Sequence, residues 1–217
     1  MTAAHTIFLV DDHPLVREWL TNLLHQEPDL HVCGEAASAP EAVAAIERLR
    51  PSVVVVDITL EDGSGLELLK DIRRVSPRSV SLMLSMHDEL TYAERALRAG
   101  ARGYVTKRET TGKIVAAIRE VLAGRIFVSD ELKAMIAERM LSGGASKADV
   151  SLLSDRELEV FRMLGQGRET REIAASLKIS VKTVQVYFAR IKEKYGLAGH
   201  NELLREAILW WDSSGGV

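Results

Sequence analysis

Val53-Val54-Val55-Val56-Asp57 is the stretch on which the fold turns. Four successive β-branched apolar residues leave no polar face, so as a strand they must be covered on both sides. That is the position of an inner strand in a parallel sheet with helices on each face. The same grammar recurs on either side of it. Ile7–Val10 is a short apolar run ending at Asp11-Asp12, Val80–Leu84 ends at Ser85, and Gly103–Thr106 ends at Lys107, while His31–Glu35 reads as a further strand. Between them lie segments with helical spacing: Pro14–Gln26 (Leu15, Trp19, Leu20, Leu23, Leu24), Ala39–Leu49, Leu66–Val75, Leu90–Arg98 and Thr110–Leu122. Five β-then-α units with short loops predict an α/β fold, a five-stranded doubly wound parallel sheet of flavodoxin-like type.

After Gly124 the alternation stops. Asp130–Leu141 has helical character, Ser142-Gly143-Gly144-Ala145-Ser146 has linker composition, and every segment from Leu153 onward is helical in pattern. The predicted organisation is therefore residues 1–124 as the α/β domain, 125–150 as a helix and flexible linker, and 151–217 as a small all-α domain. Ser154-Asp155-Arg156-Glu157 has the form of a capping box opening the first helix of that domain.

Composition narrows the class. The 217 residues are 47% apolar and 27% charged, with 20 Gly and Pro, an ordinary globular profile rather than a disordered or collagen-like one. A single cysteine, Cys33, can form neither an internal disulfide nor a multi-cysteine zinc site, so a reducing compartment is expected. No apolar run approaches the ~20 residues of a membrane helix, and Met1–Thr6 lacks the basic start and apolar stretch of a secretory signal. A soluble, cytoplasmic protein with no membrane partner is predicted. Net charge is −3, but Ser180–Lys194 carries Lys182, Arg190, Lys192 and Lys194 against Glu193 alone. By itself such a patch is most simply a solvated face.

Ligands of open parallel sheets bind beyond the carboxyl ends of the strands. The polar residues there are Asp11, Asp12, Asp57, Ser85 and Lys107. Three carboxylates in one crevice repel unless a cation sits among them, and hard oxygen ligands suit Mg²⁺. With an ammonium and a hydroxyl beside them, the set suits a doubly charged oxyanion on or next to a carboxylate, as in phosphoryl transfer to aspartate. Any one of these residues alone is better read as a helix cap or a simple ion pair; five at strand ends favour the functional reading. A nucleotide- or flavin-binding protein fits poorly, because Asp11-Asp12-His13-Pro14 stands where a Gly-rich loop would follow the first strand.

Residues 7–122 resemble the receiver domain of bacterial two-component response regulators. The matching pieces are Ile7-Phe8-Leu9-Val10-Asp11-Asp12-His13, Val56-Asp57-Ile58, Gly63-Ser64-Gly65-Leu66-Glu67-Leu68, Leu84-Ser85 and Gly103-Tyr104-Val105-Thr106-Lys107. The resemblance implies that Asp57 is the phosphoacceptor and that Mg²⁺ is held by Asp11, Asp12, Asp57 and the carbonyl of Thr59. It further implies that Ser85 and Lys107 contact the phosphoryl group and that Tyr104 turns inward behind Ser85. The only chemistry implied is the domain's own Mg²⁺-dependent phosphoryl transfer and hydrolysis, so no separate enzyme activity is expected. Leu60-Glu61-Asp62 replaces the family's usual Met-Pro-Gly, Arg108 replaces the Pro that often follows the lysine, and Thr59 and His87 occupy positions that tune hydrolysis.

In the C-terminal part, Ile173–Leu177 forms a short helix, Lys178-Ile179 a turn, and Ser180 caps Val181–Tyr195. Val184, Phe188, Ile191 and Tyr195 form one apolar face; Lys182, Gln185, Val186, Ala189, Arg190 and Glu193 form the other. Pattern alone fits a helix-turn-helix and an ordinary helical bundle equally well. Leu153-Ser154-Asp155-Arg156-Glu157, Glu159-Val160, Glu172-Ile173-Ala174, Leu177, Ile179-Ser180, Thr183-Val184, Ile191 and Lys194 resemble the LuxR-type helix-turn-helix, and the whole chain resembles the NarL/FixJ family. Candidate DNA contacts are Lys182, Thr183, Gln185, Val186, Arg190, Lys194 and Arg171. Gln185 and Tyr187 stand where the family commonly has Lys and His, and Ala189 where a basic residue is frequent, which weakens the phosphate-driven part of binding. Trp210-Trp211 suits either packing onto the last helix or a dimer surface.

The expected function is a transcription regulator whose DNA binding is controlled by phosphorylation of Asp57. Its expected partners are a sensor histidine kinase, double-stranded DNA and, when phosphorylated, a second copy of itself. The alternatives are an output through protein–protein binding and DNA binding that ignores phosphorylation.

Overall fold

All five expected strands form and all are parallel. They are β1 (His5–Val10), β2 (Leu30–Ala36), β3 (Val53–Val56) and, after a short antiparallel hairpin of β4 (Thr59–Leu60) and β5 (Gly63–Ser64), β6 (Val80–Ser85) and β7 (Gly103–Thr106). The order across the sheet is β2-β1-β3-β6-β7, with β3 at the centre and its four valines buried. The structure, a computed structural model, describes residues 4–60, 63–86, 89–134 and 150–213, and the chain divides into two compact units, residues 1–138 and 139–217. His87, Glu61-Asp62 and the Ser142–Ser146 linker lie outside the described residues.

The helices of the first unit are α1 (Pro14–Leu24), α2 (Ala39–Leu49), α3 (Gly65–Val75), α4 (Glu89–Ala99) and α5 (Thr111–Leu122). Successive strand residues point to opposite faces, so the sheet buries two sets of side chains. Ile7, Leu9, Val53, Val55, Leu82, Leu84 and Val105 form one core with Leu20 and Leu24 of α1 and Ile114, Ile118 and Val121 of α5. Phe8, Val10, Val54, Val56, Met83 and Tyr104, of opposite parity, are buried on the other face, where Ala42 and Ile46 of α2, Leu69 and Ile72 of α3, and Ala93 and Ala96 of α4 are also buried.

Phe127, in the segment assigned from composition to the connection, instead pairs with the sheet edge. Phe127 bridges to Gly103 in parallel, donates its N–H to Arg102 O (3.0 Å) and accepts from Tyr104 N (2.9 Å). Leu132 beyond it is fully buried. The physical reason is that β7 is an edge strand whose N–H and C=O groups need partners.

In the second unit a 3₁₀ turn (Val150–Leu152) leads to α6 (Asp155–Gly165), α7 (Thr170–Ser176), α8 (Val181–Tyr195) and α9 (His200–Ser213). The expected capping box at Ser154 and Glu157 is present, and Ser180 Oγ accepts from Thr183 N. The α7–α8 turn is tightened by Ile179 N to Ala174 O (3.0 Å) and carries Lys178 in the left-handed region at φ 53°. Leu158, Phe161, Ile173, Val184, Ile191, Leu203 and Ala207 make the core. Of the Trp pair, Trp210 packs inward, its ring 5.7 Å from that of Phe161. Helices α6 and α9 approach so closely at Gly165 that a Cβ there would lie 2.4 Å from Ala207 O. Among the described residues no helix is long and apolar enough to cross a membrane.

Candidate functional site

The chain reverses beyond the carboxyl ends of β1, β3, β6 and β7, and there the polar residues converge. Lys107 reaches in from the end of β7, its Nζ donating to Asp11 Oδ2 (2.5 Å) and Asp57 Oδ2 (2.7 Å). Its side chain is 7% exposed, against 4% for Asp11 and 6% for Asp57, so this is a buried three-way ion cluster. Lys107 N also donates to Ser85 O (2.7 Å), which ties the lysine to the end of β6, where Ser85 is fully buried. The Tyr104 ring, one residue before Val105 on β7, is likewise inside.

Asp11 is pinned on every side. Its N–H donates to Ala36 O (3.2 Å), Oδ1 accepts from His13 N (2.9 Å), and its carbonyl accepts from Arg17 Nη1 (2.6 Å). Asp12 differs: its Oδ1 is buried and receives no well-aligned hydrogen bond, although the exposed His13 ring comes within 2.6 Å. Ligand atoms of Asp11, Asp12, His13 and Asp57 all lie within 4.8 Å of one another.

The acceptor loop is shaped by a glycine. Gly65 N donates to Ile58 O (2.7 Å), and a Cβ at Gly65 would lie 1.9 Å from Asp57 O, so no other residue fits there without moving Asp57. The β4–β5 hairpin returns the chain to this point, and Thr59 N–H donates to the Asp57 carboxylate.

The electrostatics follow from burial. Desolvation pushes Asp57 up to about 6; the Asp11 charge adds to it, while the Lys107 charge and the Lys107 and Thr59 hydrogen bonds oppose it without prevailing. Burial alone would lower the Lys107 ammonium, but the charges and hydrogen bonds of Asp57 and Asp11 outweigh it and hold the group protonated. Three carboxylates against one ammonium leave a negative excess, and Asp12 keeps an unsatisfied oxygen. Both features fit a hard divalent cation with oxygen ligands and several waters.

In the second unit, Val184, Phe188 and Ile191 of α8 are buried, and Lys182, Gln185, Val186, Ala189 and Arg190 are exposed on the opposite side. Arg171 is exposed on α7, and Thr183 is half-buried, its hydroxyl 2.8 Å from Ser180 Oγ.

Two family models match the chain: the response regulator receiver domain over residues 7–119 and the bacterial regulatory proteins of the luxR family over residues 151–207. The chain belongs to the NarL/FixJ family of response regulators. It is 38% identical over 207 residues to the transcriptional regulatory protein UhpA of Escherichia coli (strain K12), covering 95% of this chain and 99% of that protein. It is 36% identical over 192 residues to the DNA-binding transcriptional activator DevR/DosR of Mycobacterium tuberculosis (strain ATCC 25618 / H37Rv), covering 88% of each. Among solved structures, a two-component response regulator of the LuxR family from Aurantimonas sp. SI85-9A1 matches with a TM-score of 0.60 and 38% identity, over 64% of this chain and all of that one. RcsB of Salmonella enterica serovar Typhimurium, at 24% identity and a TM-score of 0.61 over 93% of this chain and 97% of that one, shares the fold.

As a response regulator the chain carries an acidic pocket at Asp11, Asp12 and Asp57 compatible with Mg²⁺. Lys194 is exposed, and its Nζ donates to Glu157 Oε2 (2.5 Å) and Leu152 O (3.0 Å), so its ammonium already has two partners within the helical unit. The reason is positional. Lys194 follows Ile191 by three residues, which puts its exposed side chain at the edge of the packed face of α8, within reach of Glu157. Burial alone would raise Glu157, but hydrogen bonds from Lys194 and Ser154 and the Lys194 charge overcome it and hold its carboxyl below the usual range. Arg17 and Gly65 were not singled out from sequence as site residues. Gly65 sat inside a matching motif and could have been found; Arg17 had no signal beyond an amphipathic helix.

Proposed function

We propose that Asp57 accepts a phosphoryl group from a phosphohistidine of a sensor kinase and that this controls DNA binding by the helix-turn-helix. The observation that carries the reading is the Lys107 ammonium bridging Asp11 and Asp57 beside an Asp12 oxygen with no hydrogen bond. In the transfer, an Asp57 carboxylate oxygen attacks phosphorus in line, the O–P bond forms as the N–P bond breaks, and the imidazole leaves with a proton from solvent. Asp11, Asp12, Asp57 and the Thr59 carbonyl would hold Mg²⁺, which when bound neutralises charge on the phosphoryl oxygens. Lys107 shifts from sharing two carboxylates to meeting a phosphoryl oxygen, and Ser85 donates its hydroxyl to another. Ser85 at the end of β6 and Tyr104 on the adjacent strand β7 are both buried, so a small movement of the hydroxyl is passed through the packed interior to the face around α4 and β7. The same residues catalyse loss of the phosphoryl group to water, and no other enzyme activity is assigned.

On the output side, Lys182, Arg190 and Arg171 meet backbone phosphates, while Gln185 and Val186 face base edges, with Thr183 at the helix entry. Gln185 suits a bidentate pair with adenine, and the exposed Val186 suits the methyl group of thymine. Two copies on adjacent half-sites gain affinity from their linkage, which offsets the missing cations at Gln185, Tyr187 and Ala189. A cytoplasmic location follows from this partner.

The test is intact-mass spectrometry after a small acyl-phosphate donor, with and without Mg²⁺, paired with fluorescence anisotropy on host-genome fragments with and without beryllofluoride. One phosphoryl adduct that needs Mg²⁺ and vanishes in Asp57→Asn, with tighter salt-sensitive DNA binding in beryllofluoride, is expected. DNA binding that ignores beryllofluoride would overturn the phosphorylation control. No binding at low salt would transfer the output to a protein partner.

A further inference from the structure

We infer that Arg17 is a positioning residue for the acidic pocket, acting through the backbone carbonyl of Asp11; this rests on the reading that the pocket holds Mg²⁺. The geometry is a brace between three elements. From α1, Arg17 Nη1 donates to Asp11 O (2.6 Å) and Nε to Glu35 Oε2 (3.3 Å) on edge strand β2. Glu35 is fixed in turn by Thr21 Oγ1, one helical turn further along α1, donating to Oε1 (2.7 Å). The Arg17 side chain is only 18% exposed, so the guanidinium is held rather than waving in solvent.

The carbonyl it holds belongs to the peptide that joins Asp11 to Asp12. That peptide has left the sheet, and α1 begins at Pro14 with His13 as an N-cap that makes no side-chain capping bond. The loop is therefore held not by a helix cap but by His13 N–H donating to Asp11 Oδ1 and by Arg17 on the Asp11 carbonyl. Asp11 is anchored separately through its N–H and both carboxylate oxygens. The Asp12 carboxylate meets the exposed His13 ring instead, and the direction of its side chain depends on the plane of the Asp11–Asp12 peptide. By fixing that plane Arg17 sets the direction in which Asp12 Oδ1, which lies 2.6 Å from the exposed His13 ring, is presented to the cation. Outer groups that orient metal ligands in this way are typically worth ~10-fold or more in metal affinity.

The experiment measures Mg²⁺ affinity in the full chain without reference to activity, from the rise in melting temperature along a Mg²⁺ series. Wild type, R17M, R17K, E35Q, T21V and D12N are compared. R17M keeps the packing stem and removes the donors, and is expected to weaken Mg²⁺ binding ~10-fold; R17K restores part of the loss, and E35Q and T21V give smaller losses in the same direction. In phosphorylation by an acyl-phosphate donor, R17M raises the half-saturating Mg²⁺ concentration and leaves the limiting rate at saturating Mg²⁺ close to wild type. An unchanged Mg²⁺ affinity in R17M overturns the inference, as does a fall in metal-free melting temperature with affinity unaltered, which marks a purely structural brace. If R17M does not fold, E35Q and T21V decide by the same criterion. Absence of any Mg²⁺ effect in wild type, matched by D12N, overturns the metal reading itself and is recognisably a different failure.

Discussion

Asp57→Asn should make the metal-free protein more stable at neutral pH, although it removes the residue at the centre of the site. Asp57 is pushed up to about 6 from a reference of 3.8 because burial outweighs the help of Lys107. A carboxyl whose pKa is raised on folding stabilises the native state only while it is protonated. Stability therefore falls as pH rises from the unfolded value through the folded one. A shift of about 2 units corresponds to about 3 kcal/mol at most, fully lost above about pH 7. Asparagine keeps an oxygen for Lys107, which also keeps Asp11 at 2.5 Å, so the variant escapes the penalty without orphaning the ammonium. Between about pH 5 and pH 7.5 the advantage of the variant should widen by about 1.4 kcal/mol. At about 3–4 °C per kcal/mol, the full effect near neutrality is a rise in melting temperature of roughly 10 °C. The assay is calorimetric or fluorescence melting of both proteins in chelator across that pH range. Added Mg²⁺ should narrow the gap, because it binds the wild-type pocket and stabilises it by mass action. A variant that melts below wild type near neutrality, or a gap that is the same at both pH values, would refute the account of Asp57 as a carboxylate destabilised by burial.

Other outcomes follow from single contacts. Glu157→Ala removes the carboxylate that the exposed Lys194 meets and half of the α6 capping box, so the helical unit should lose about 1–2 kcal/mol in denaturant melts. No measurable loss would show that neither the cap nor the Lys194 contact stabilises the unit. Gly65→Ala forces a Cβ to within 1.9 Å of Asp57 O and should cost more than about 3 kcal/mol, with Mg²⁺ stabilisation lost as well; a wild-type melting curve would contradict that packing. Lys178→Gly relieves a left-handed backbone at φ 53° and should raise the stability of the helical unit by about 1 kcal/mol, seen in the same melts. Replacing thymine by deoxyuridine in a half-site removes the methyl group proposed to meet Val186. Binding should weaken about fourfold, as for one buried methyl, and Val186→Ala should be insensitive to the change.

Much of this was legible because a parallel sheet turns sequence order into spatial order. A short apolar run says where a strand is, and the next polar residue then stands at its carboxyl end, so Asp11, Asp12, Asp57, Ser85 and Lys107 could be gathered before any coordinates existed. What escaped had no periodic signal. The β4–β5 hairpin has two residues per strand, too few for alternation to register. Phe127 pairs with the sheet through main-chain groups that no side-chain pattern marks. Charge counting put Lys194 on the exposed patch, where it lies, but did not show that its ammonium reaches Glu157.

The acidic pocket shows a deeper limit. Residue types at strand ends identify which groups meet, but not how their hydrogen-bonding capacity is divided. Asp11 is fully committed, with its N–H, carbonyl and both carboxylate oxygens engaged by four different residues, while Asp12 beside it keeps a buried oxygen with no hydrogen bond. Two adjacent aspartates that read alike in sequence therefore differ in what they can do. Asp11 is held in a frame with Lys107 and Asp57, and Asp12, which meets the exposed His13 ring, is the less constrained of the two proposed ligands. That asymmetry requires Arg17 and Lys107 to act from opposite sides of the same loop, one on the carbonyl and one on the carboxylate of Asp11. Weakening either should loosen the loop that carries both proposed ligands, and the loss of Mg²⁺ affinity in R17M should be accompanied by greater mobility of residues 11–13, measurable as faster amide exchange there.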